Sequence, residues 1–198
     1  TKTLAQKVSI ESNKTATIGE QRLTSMYGSI NGTIALNDGK SPEGATVTAA
    51  SADGRNSYPA TAASDGTYSI SNVLPATYTL SVTKEGYEAG SKSISVTADY
   101  TTEAGTITLE SLYGSLKVLV NYADKDPDDK ITVSIRNGES SIRTATTSNS
   151  STLIFDDIPV GAGYVVAASA LGYSSSEKTS VSVLSNTETT VQLDDLSN

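Results

Sequence analysis

Residues 64–82 read SDGTYSISNVLPATYTLSV, and this stretch carries the pattern that decides the fold class. Apolar side chains alternate here with polar ones, at Tyr68, Ile70, Tyr78, Leu80 and Val82. A period of two predicts half-buried β-strands, because successive side chains of a strand point to opposite faces. The Asp65-Gly66 pair before the first strand supplies the positive φ that a tight turn needs. The stretch therefore predicts two short strands, the first of which follows a turn.

The same alternation continues along the rest of the chain. In the first half the alternating apolar residues are Ile30, Ile34 and Leu36, Ala45, Val47 and Ala49, Ile94 and Val96, and Ile107 and Leu109. In the second half they are Leu116, Val118, Val120 and Tyr122, Ile131, Val133 and Ile135, Leu153 and Phe155, Tyr164 and Val166, Val181 and Val183, and Val191 and Leu193. About seven short strands per half, without a helical stretch, predict an all-β fold of tandem β-sandwiches.

The chain repeats itself with a period of 86 residues. Tyr27-Gly28-Ser29 recurs as Tyr113-Gly114-Ser115, and Gly86-Tyr87 recurs as Gly172-Tyr173. Self-similarity at a fixed period indicates a tandem array. The repeat predicts two seven-stranded sandwiches, at residues 27–111 and 112–198, preceded by a fragment of residues 1–26.

Residues 1–26 match the end of a repeat at the same spacing. Val8, Ile10, Thr15, Gly19, Leu23 and Met26 fall on Ile94, Val96, Thr101, Gly105, Leu109 and Leu112. The match predicts two strands, around residues 8–10 and 18–23, which we interpret as the terminal strands of a preceding repeat. Because an isolated two-stranded hairpin is marginal in water, these strands would complete a sandwich elsewhere if the segment is ordered, and the alternative is a frayed tail. That sandwich is an upstream repeat of the same chain or a neighbouring subunit that accepts donated strands.

Composition excludes several classes of function. Lys and Arg number 14 against 22 Asp and Glu, which gives a net charge of −8. Nucleic acid and anionic membrane surfaces attract basic proteins, so neither is an expected partner. No apolar run reaches the roughly 18 residues of a membrane-spanning helix. The 57 Ser and Thr residues are typical of strands with small polar outer faces and fit an extracellular or cell-surface protein.

Catalytic groups are scarce in the sequence. It contains no His and no Cys, which removes the commonest general base at neutral pH, every thiolate nucleophile and any disulfide framework. No Ser stands in a Gly-x-Ser-x-Gly elbow, and no Gly-rich loop opens a helical stretch to hold a phosphate. We therefore predict that the chain is not an enzyme and carries no cofactor other than a candidate Ca²⁺ ion.

The candidate Ca²⁺ site is an acidic cluster in the second repeat. Asp124, Asp126, Asp128 and Asp129 offer hard oxygen ligands in one loop, with Asn121 nearby. The loop lacks the Gly and the downstream bidentate Glu of an EF-hand, and lysines interrupt it. A solvated charged turn is the alternative interpretation.

Two further sets of residues are candidate binding or modification sites. The sequons at Asn13, Asn31 and Asn149 are candidate glycosylation sites, although such triplets also arise by chance in a chain rich in Ser and Thr. The ten Tyr residues are expected to bury their rings between sheets, each hydroxyl reaching a partner at the rim. The alternative for Tyr58, Tyr100 and Tyr122 is an exposed carbohydrate-binding platform.

Three longer motifs of the first repeat point to a known family. They are Gly39-x-x-Pro42-x-Gly44-Ala45-x-Val47, Ser64-Asp65-Gly66-Thr67-Tyr68-Ser69-Ile70, and Leu74-Pro75-x-x-Tyr78-x-Leu80-x-Val82, followed by Gly86-Tyr87. Residues 28–110 resemble the carboxypeptidase regulatory-like domain, which implies an Ig-like, transthyretin-like (prealbumin-like) sandwich. The second repeat keeps Ile158-Pro159, Tyr164 and Gly172-Tyr173 but lacks the Gly-Ala-x-Val and Asp-Gly-x-Tyr elements. The resemblance implies a scaffold, because members of the family are accessory modules of secreted enzymes, transporters, adhesins and surface fibres.

These observations predict a structural role. We expect a segment of an extracellular fibre, stalk or surface array that is built head-to-tail from sandwich repeats. Its partners would be copies of itself or adjacent repeats of the same chain. The alternative function is a carbohydrate- or protein-binding accessory module of a secreted multidomain protein.

Overall fold

A computed structural model describes residues 7–9, 11–16, 25–121, 130–148 and 150–197. All regular elements within these ranges are β-strands, and none of them is a helix that could cross a membrane. The first seven strands are β1 (Gly28–Leu36), β2 (Thr46–Ser51), β3 (Ser57–Thr61), β4 (Thr67–Val73), β5 (Ala76–Thr83), β6 (Gly90–Val96) and β7 (Thr101–Leu109). The other seven are β8 (Tyr113–Leu119), β9 (Ile131–Asn137), β10 (Ser140–Thr147), β11 (Thr152–Pro159), β12 (Gly161–Ala170), β13 (Ser176–Val183) and β14 (Glu188–Gln192). The predicted all-β class is confirmed.

The chain divides into two units, and β1–β7 belong to the first, Thr1–Glu85 with Ala89–Leu109. One of its sheets has the strand order β3-β2-β5-β6 and is antiparallel throughout. The other has the order β4-β1-β7, in which β1 runs antiparallel to β4 and parallel to β7. The two sheets are the layers of a seven-stranded sandwich.

The second unit, Gly86–Glu88 with Glu110–Asn198, has the same topology. Its sheets have the orders β10-β9-β12-β13 and β11-β8-β14, and β8 again pairs antiparallel with one neighbour and parallel with the other. Each strand of the second unit therefore has a counterpart seven strands earlier. The domain boundaries at residues 26/27 and 111/112 stay a prediction.

The cores of both units consist of the alternating apolar residues. Each of the residues that the alternation singled out is buried, except Tyr122, which lies outside the described residues. Leu196, which the alternation did not mark, is fully buried in the second unit. Opposite faces carry small polar side chains, and on the sheet of β2, β5 and β6 these are Thr46, Thr48, Thr77, Thr79, Ser81, Thr83, Ser91, Ser93 and Ser95.

Two strands carry no alternating apolar pattern and were absent from the sequence prediction. They are β3 and β10, which lie at the edges of their sheets. Their side chains are all exposed or half-buried, so neither strand has the buried alternate residues that an apolar pattern marks. Pro59 in β3 is compatible with this position, since an edge strand needs no ladder hydrogen bond on its outer side.

The Tyr-Gly-Ser motif begins the first strand of each unit. A Cβ atom at Gly28 would collide with the carbonyl oxygen of Thr97, and one at Gly114 would collide with that of Leu184. No residue larger than glycine fits either position without a backbone shift. The recurrence of the motif thus has a steric cause.

The same backbone hydrogen bonds hold both motifs to the loop before the last strand of the unit. In the first unit the amide of Asp99 donates to the carbonyl of Tyr27, at 3.0 Å, and Ser29 donates to Tyr100, at 3.0 Å. In the second unit Asn186 donates to Tyr113, at 2.9 Å, and Ser115 donates to Thr187, at 3.0 Å. The two units therefore share local geometry as well as strand order.

Only parts of residues 1–26 lie within the described residues. Residues 7–9 and 11–16 contain a turn and no strand, and the amide of Lys14 donates to the carbonyl of Glu11 at 3.2 Å. Ile10 and residues 17–24 lie outside the described residues, so the second predicted strand lies there entirely. The assignment of this segment to a preceding repeat stays a prediction.

Candidate functional site

The predicted metal ligands lie outside the described residues. This holds for Asp124, Asp126, Asp128 and Asp129 alike. Asn121, next to the loop, is exposed, and its carbonyl accepts a hydrogen bond from the amide of Leu196 at 3.0 Å. In the part of the chain that the structure describes, no three acidic side chains come together as metal ligands. The Ca²⁺ site stays a prediction.

The three sequons lie in different settings. Asn13 is exposed in a turn, with a φ of 59°. Asn31 is half-buried in β1, the central strand of its sheet. Asn149 lies outside the described residues. Glycosylation at the three residues stays a prediction.

Two tyrosines occupy the predicted anchor positions. Tyr78 is fully buried and its hydroxyl donates to the carbonyl of Leu74 at 2.8 Å. Tyr164 is its counterpart in the second unit, where its hydroxyl donates to the carbonyl of Pro159 at 2.7 Å. Both rings fill the core while the hydroxyl bonds to the backbone just before β5 or at the end of β11. The role of core anchor fits both residues.

Tyr68 departs from this arrangement. Its side chain is 5% exposed, and burial raises the pKa of its hydroxyl above the ordinary value of 10.0. Among the described residues, its Oη is the one buried side-chain oxygen or nitrogen without a hydrogen-bond partner. The expected rim partner of Tyr68 is therefore absent. The ring lies across Gly32, where a Cβ atom would collide with Oη.

The tyrosines proposed as a platform do not form one in the described residues. The ring of Tyr58 packs edge-on against Tyr78, with the centroids 5.8 Å apart, and its hydroxyl accepts a hydrogen bond from the amide of Leu74 at 3.3 Å. Tyr100 is 70% exposed, and Tyr122 lies outside the described residues. Tyr58 thus supports the core beside an anchor residue.

A polar groove of about 530 Å³ lies on the first unit. It is lined by Asn31, Gly32, Thr33, Thr61, Thr67, Tyr68, Ser69 and Glu103. The strand order β4-β1-β7 brings three of these side chains together, because Asn31 of β1 is paired with Ser69 of β4 on one side and with Glu103 of β7 on the other. Asn31 was noted in the sequence only as a sequon, and the row that it forms with Ser69 and Glu103 was missed.

The ladder between β1 and β7 is interrupted beside this row. Asn31 pairs with Glu103 and Thr33 pairs with Thr106, so Ala104 and Gly105 together stand opposite Gly32. Gly105 has a φ of 70°, as expected for a β-bulge. Two glycines are sequence signals for this irregularity: Gly105 lies within β7, and Gly32 interrupts the apolar series of Ile30, Ile34 and Leu36.

The groove has the chemistry of a binding surface. It offers an amide, a carboxylate and hydroxyls, and its lining contains no Lys or Arg. The whole chain has no His and no Cys, so the groove cannot pair its carboxylate with a histidine base or a cysteine nucleophile. The arrangement can form hydrogen bonds with a polar ligand.

Comparison with protein families confirms the resemblance of the first repeat. The model of the carboxypeptidase regulatory-like domain family matches residues 29–110. The matched residues include all of β1–β7 except Gly28. No curated protein sequence matches the chain significantly.

Several solved structures are similar to the chain at low identity. The Bacillus anthracis TIE protein is 16% identical with a TM-score of 0.43, and the match covers 86% of this chain and 34% of that protein. GBS52, the minor pilin of Streptococcus agalactiae, is 12% identical with a TM-score of 0.40, covering 86% of this chain and 96% of the pilin. BcpA, the major pilin subunit of Bacillus cereus, is 11% identical with a TM-score of 0.40, covering 84% and 69%. Scores below 0.5 transfer no function to this chain.

Proposed function

We propose that the chain is a structural segment of an extracellular fibre, stalk or surface array, built head-to-tail from β-sandwich repeats. The observation that carries this proposal is the repetition of one design in two successive units. Strand order, the glycine at the start of the first strand and its backbone hydrogen bonds recur from β1–β7 to β8–β14. Arrays of such units usually span distance or present surfaces.

The chemistry of the chain supports a role without catalysis. Neither a His nor a Cys is available in the sequence, and the described residues contain no cluster of metal ligands. The regulatory-like domain at residues 29–110 supports a scaffold, since a fold of this kind hosts function only through sites added to it. We propose secretion or cell-surface display as the setting in which such a scaffold would act.

Residues 1–26 are proposed to be the last two strands of a preceding repeat. Each described unit already contains its own seven strands, which include the counterparts of the two strands predicted in residues 1–26. A sandwich that receives residues 1–26 would therefore be an upstream repeat or a subunit that lacks these strands. An upstream repeat of the same chain needs no separate acceptor, and we favour it for that reason.

Electron microscopy of the native material tests the structural role. We expect filaments, stalks or a regular surface layer that an antibody against residues 29–110 decorates at intervals. Cells that carry a deletion of the coding region serve as the control and should lack the decorated structures. Label confined to single, dispersed particles would contradict the proposal.

A further inference from the structure

We propose that the polar groove on the β4-β1-β7 sheet of the first unit binds a neutral saccharide. This inference goes beyond the structural role and does not depend on it, because a fibre segment can present a binding site or lack one. The groove of about 530 Å³ falls within the roughly 300–1,000 Å³ of small-molecule sites.

The first step is the placement of hydrogen-bonding groups on the outer face of this sheet. Ile30 and Ile34 of β1 are buried, so Asn31 and Thr33, which alternate with them, point away from the core. Asn31 lies between Ser69 and Glu103 in the neighbouring strands, about 4.8 Å away on either side. The sheet thus presents a hydroxyl, an amide and a carboxylate in one row.

The second step is that this row is free to bind. Within the described residues, the side chains of Asn31, Ser69 and Glu103 have no hydrogen-bond or ion-pair partner. A carboxylate accepts hydrogen bonds, and an amide side chain both donates and accepts them. The two groups together can therefore bind neighbouring hydroxyl groups of one ligand. Glu103 is the only charged residue that lines the groove, and its negative charge disfavours an anionic ligand.

The third step is the unpartnered hydroxyl of Tyr68. Tyr68 and Gly32 both line the groove, and Oη lies against Gly32, which has no side chain. The bulge at residues 104–105 interrupts the ladder at the same point. A ligand hydroxyl that reached Oη would supply the hydrogen bond that this buried group lacks. The groove therefore has an unused hydrogen-bonding group beneath its floor.

These features are specific to the first unit. The strand registers place Lys117 and Thr190 of the second unit where the first has Asn31 and Glu103. They also place Val118 and Leu153 where the first has Gly32 and Tyr68, and the bulge is absent. The second unit therefore has the same fold without the polar row, the buried hydroxyl or the glycine opposite it. It provides an internal control for the groove of the first unit.

Neutral sugars fit the groove better than anionic ligands do. A saccharide carries neighbouring uncharged hydroxyl groups, which can form hydrogen bonds with an amide and an adjacent carboxylate. A phosphate or an acidic peptide would instead be repelled by the negative charge of Glu103. The groove offers no exposed aromatic ring for stacking, so its affinity is expected to be modest. A chain of sugar units crossing the sheet would also contact the hydroxyls of Thr33 and Thr67.

Saturation-transfer NMR on the full chain tests the proposal. The probes are neutral oligosaccharides of glucose, mannose, galactose and N-acetylglucosamine, each supplied at millimolar concentration. We expect saturable binding of at least one of them. The variants Glu103→Gln and Tyr68→Phe should each weaken it, by about tenfold for Glu103→Gln, while Glu188→Gln on β14 should leave it unchanged. Hydrogen exchange of the core amides checks that each variant is folded.

Three outcomes would overturn the proposal. The first is that none of the four probes binds the full chain. The second is that binding occurs and survives both Glu103→Gln and Tyr68→Phe, which would place the ligand elsewhere. The third is a mass spectrum of the native protein with a glycan attached to Asn31, because the groove would then hold a covalent modification instead of a free ligand.

Discussion

At the scale of single residues, three buried tyrosines show how one side chain serves different purposes. Tyr78 and Tyr164 donate to backbone carbonyls, whereas Tyr68 has no partner among the described residues. All three rings contribute apolar area to a core, and only two of the hydroxyls contribute a hydrogen bond. The stability of the first unit should therefore respond differently to removal of the hydroxyl from Tyr78 and from Tyr68.

Phenylalanine substitutions test this difference. Tyr78→Phe removes the hydrogen bond to Leu74 and should destabilise the first unit by about 1 kcal/mol. Tyr68→Phe removes a buried hydroxyl that has no partner, so stability should be unchanged or rise by up to about 1 kcal/mol. Urea titration monitored by hydrogen exchange of the β4 and β5 amides measures the stability change of both variants. Equal losses for the two variants would mean that the Tyr68 hydroxyl has a partner after all.

The pairing of Gly32 with Tyr68 is a second residue-scale feature. Valine and leucine occupy the paired positions in the second unit, as Val118 and Leu153. Gly32→Val alone should destabilise the protein by about 1–3 kcal/mol, because the new side chain meets the Tyr68 ring. Tyr68→Leu alone should leave a cavity and cost about 2–4 kcal/mol. Combined, the two changes should cost less than their sum.

A double-mutant cycle measures this coupling. We expect an interaction free energy of at least about 1 kcal/mol in favour of the double variant, since the two side chains are in contact. The exchange Val118→Ile in the second unit is a control that should not couple to Tyr68→Leu. Additive losses for Gly32→Val and Tyr68→Leu would contradict the steric explanation for Gly32.

At the scale of elements, turns and edges decide where strands begin and end. Gly66 has a φ of 84°, and the Asp65 side chain accepts hydrogen bonds from the amide of Thr67, at 3.0 Å, and from its hydroxyl, at 2.7 Å. The carbonyl of Gly66 then accepts from the amide of Ile34 at 2.8 Å, which connects the turn to β1. The turn therefore sets the register between β4 and β1.

The Asp65 turn predicts a dependence of stability on acid. The hydrogen bonds from the Thr67 amide and hydroxyl lower the pKa of Asp65 below its ordinary value of 3.8. Because the pKa is lower in the folded state, the charged carboxylate contributes its full stabilisation at pH values above 3.8. This stabilisation is lost as the pH falls through the pKa of the folded state. Asp65→Asn should therefore destabilise the first unit at pH 7 and have a smaller effect at pH 2.

Urea midpoints at the two pH values measure this effect. The control is Asp156→Asn, which changes an exposed carboxylate on β11 of the second unit. This control should leave the urea midpoint of the first unit, measured at the β4 amides, nearly unchanged at both pH values. A shift for Asp65→Asn that stays the same between pH 7 and pH 2 would show that the charge of Asp65 does not contribute.

At the scale of the whole molecule, the two units share one strand order but pack different side chains around the middle of their first strand. The first fills the space over Gly32 with a tyrosine ring and widens β7 by a bulge, and the second uses Val118, Leu153 and Val191 without a bulge. Both solutions keep the same strand order. A scaffold can thus vary its surfaces, including the polar groove, without changing the way in which each unit folds.

Deleting residues 1–24 tests the proposed role of the N-terminal segment in assembly. If these residues complete a sandwich in an upstream repeat or another subunit, the deletion should abolish or shorten the filaments that the proposed structural role predicts. The control is Asn13→Ser, which removes an exposed sequon and keeps the segment. Filaments of normal length from the truncated protein would show that the segment takes no part in assembly, while the folding of the two described units should be unchanged in either case.

The alternation of apolar residues was sufficient to predict most of the strands and the core. This is because the period of two is a local property, and every side chain that it marked within the described residues is buried. The turn at Asp65-Gly66 followed from the same kind of local rule, since Gly66 has a positive φ. The strands β3 and β10 were missed because none of their side chains is fully buried, so neither strand has an alternating apolar pattern.

The sequence by itself determined that the chain is all-β, that it repeats, and which side chains form its cores, because each of these depends on spacing along the chain. Tertiary structure decided which distant residues meet. Asn31, Ser69 and Glu103 form one row only because β1 pairs with β4 on one side and runs parallel to β7 on the other. Likewise, Gly28 must be glycine because a carbonyl from the loop before β7 lies against it. Neither relation has a local signal, since strand order and register are set by packing between sheets.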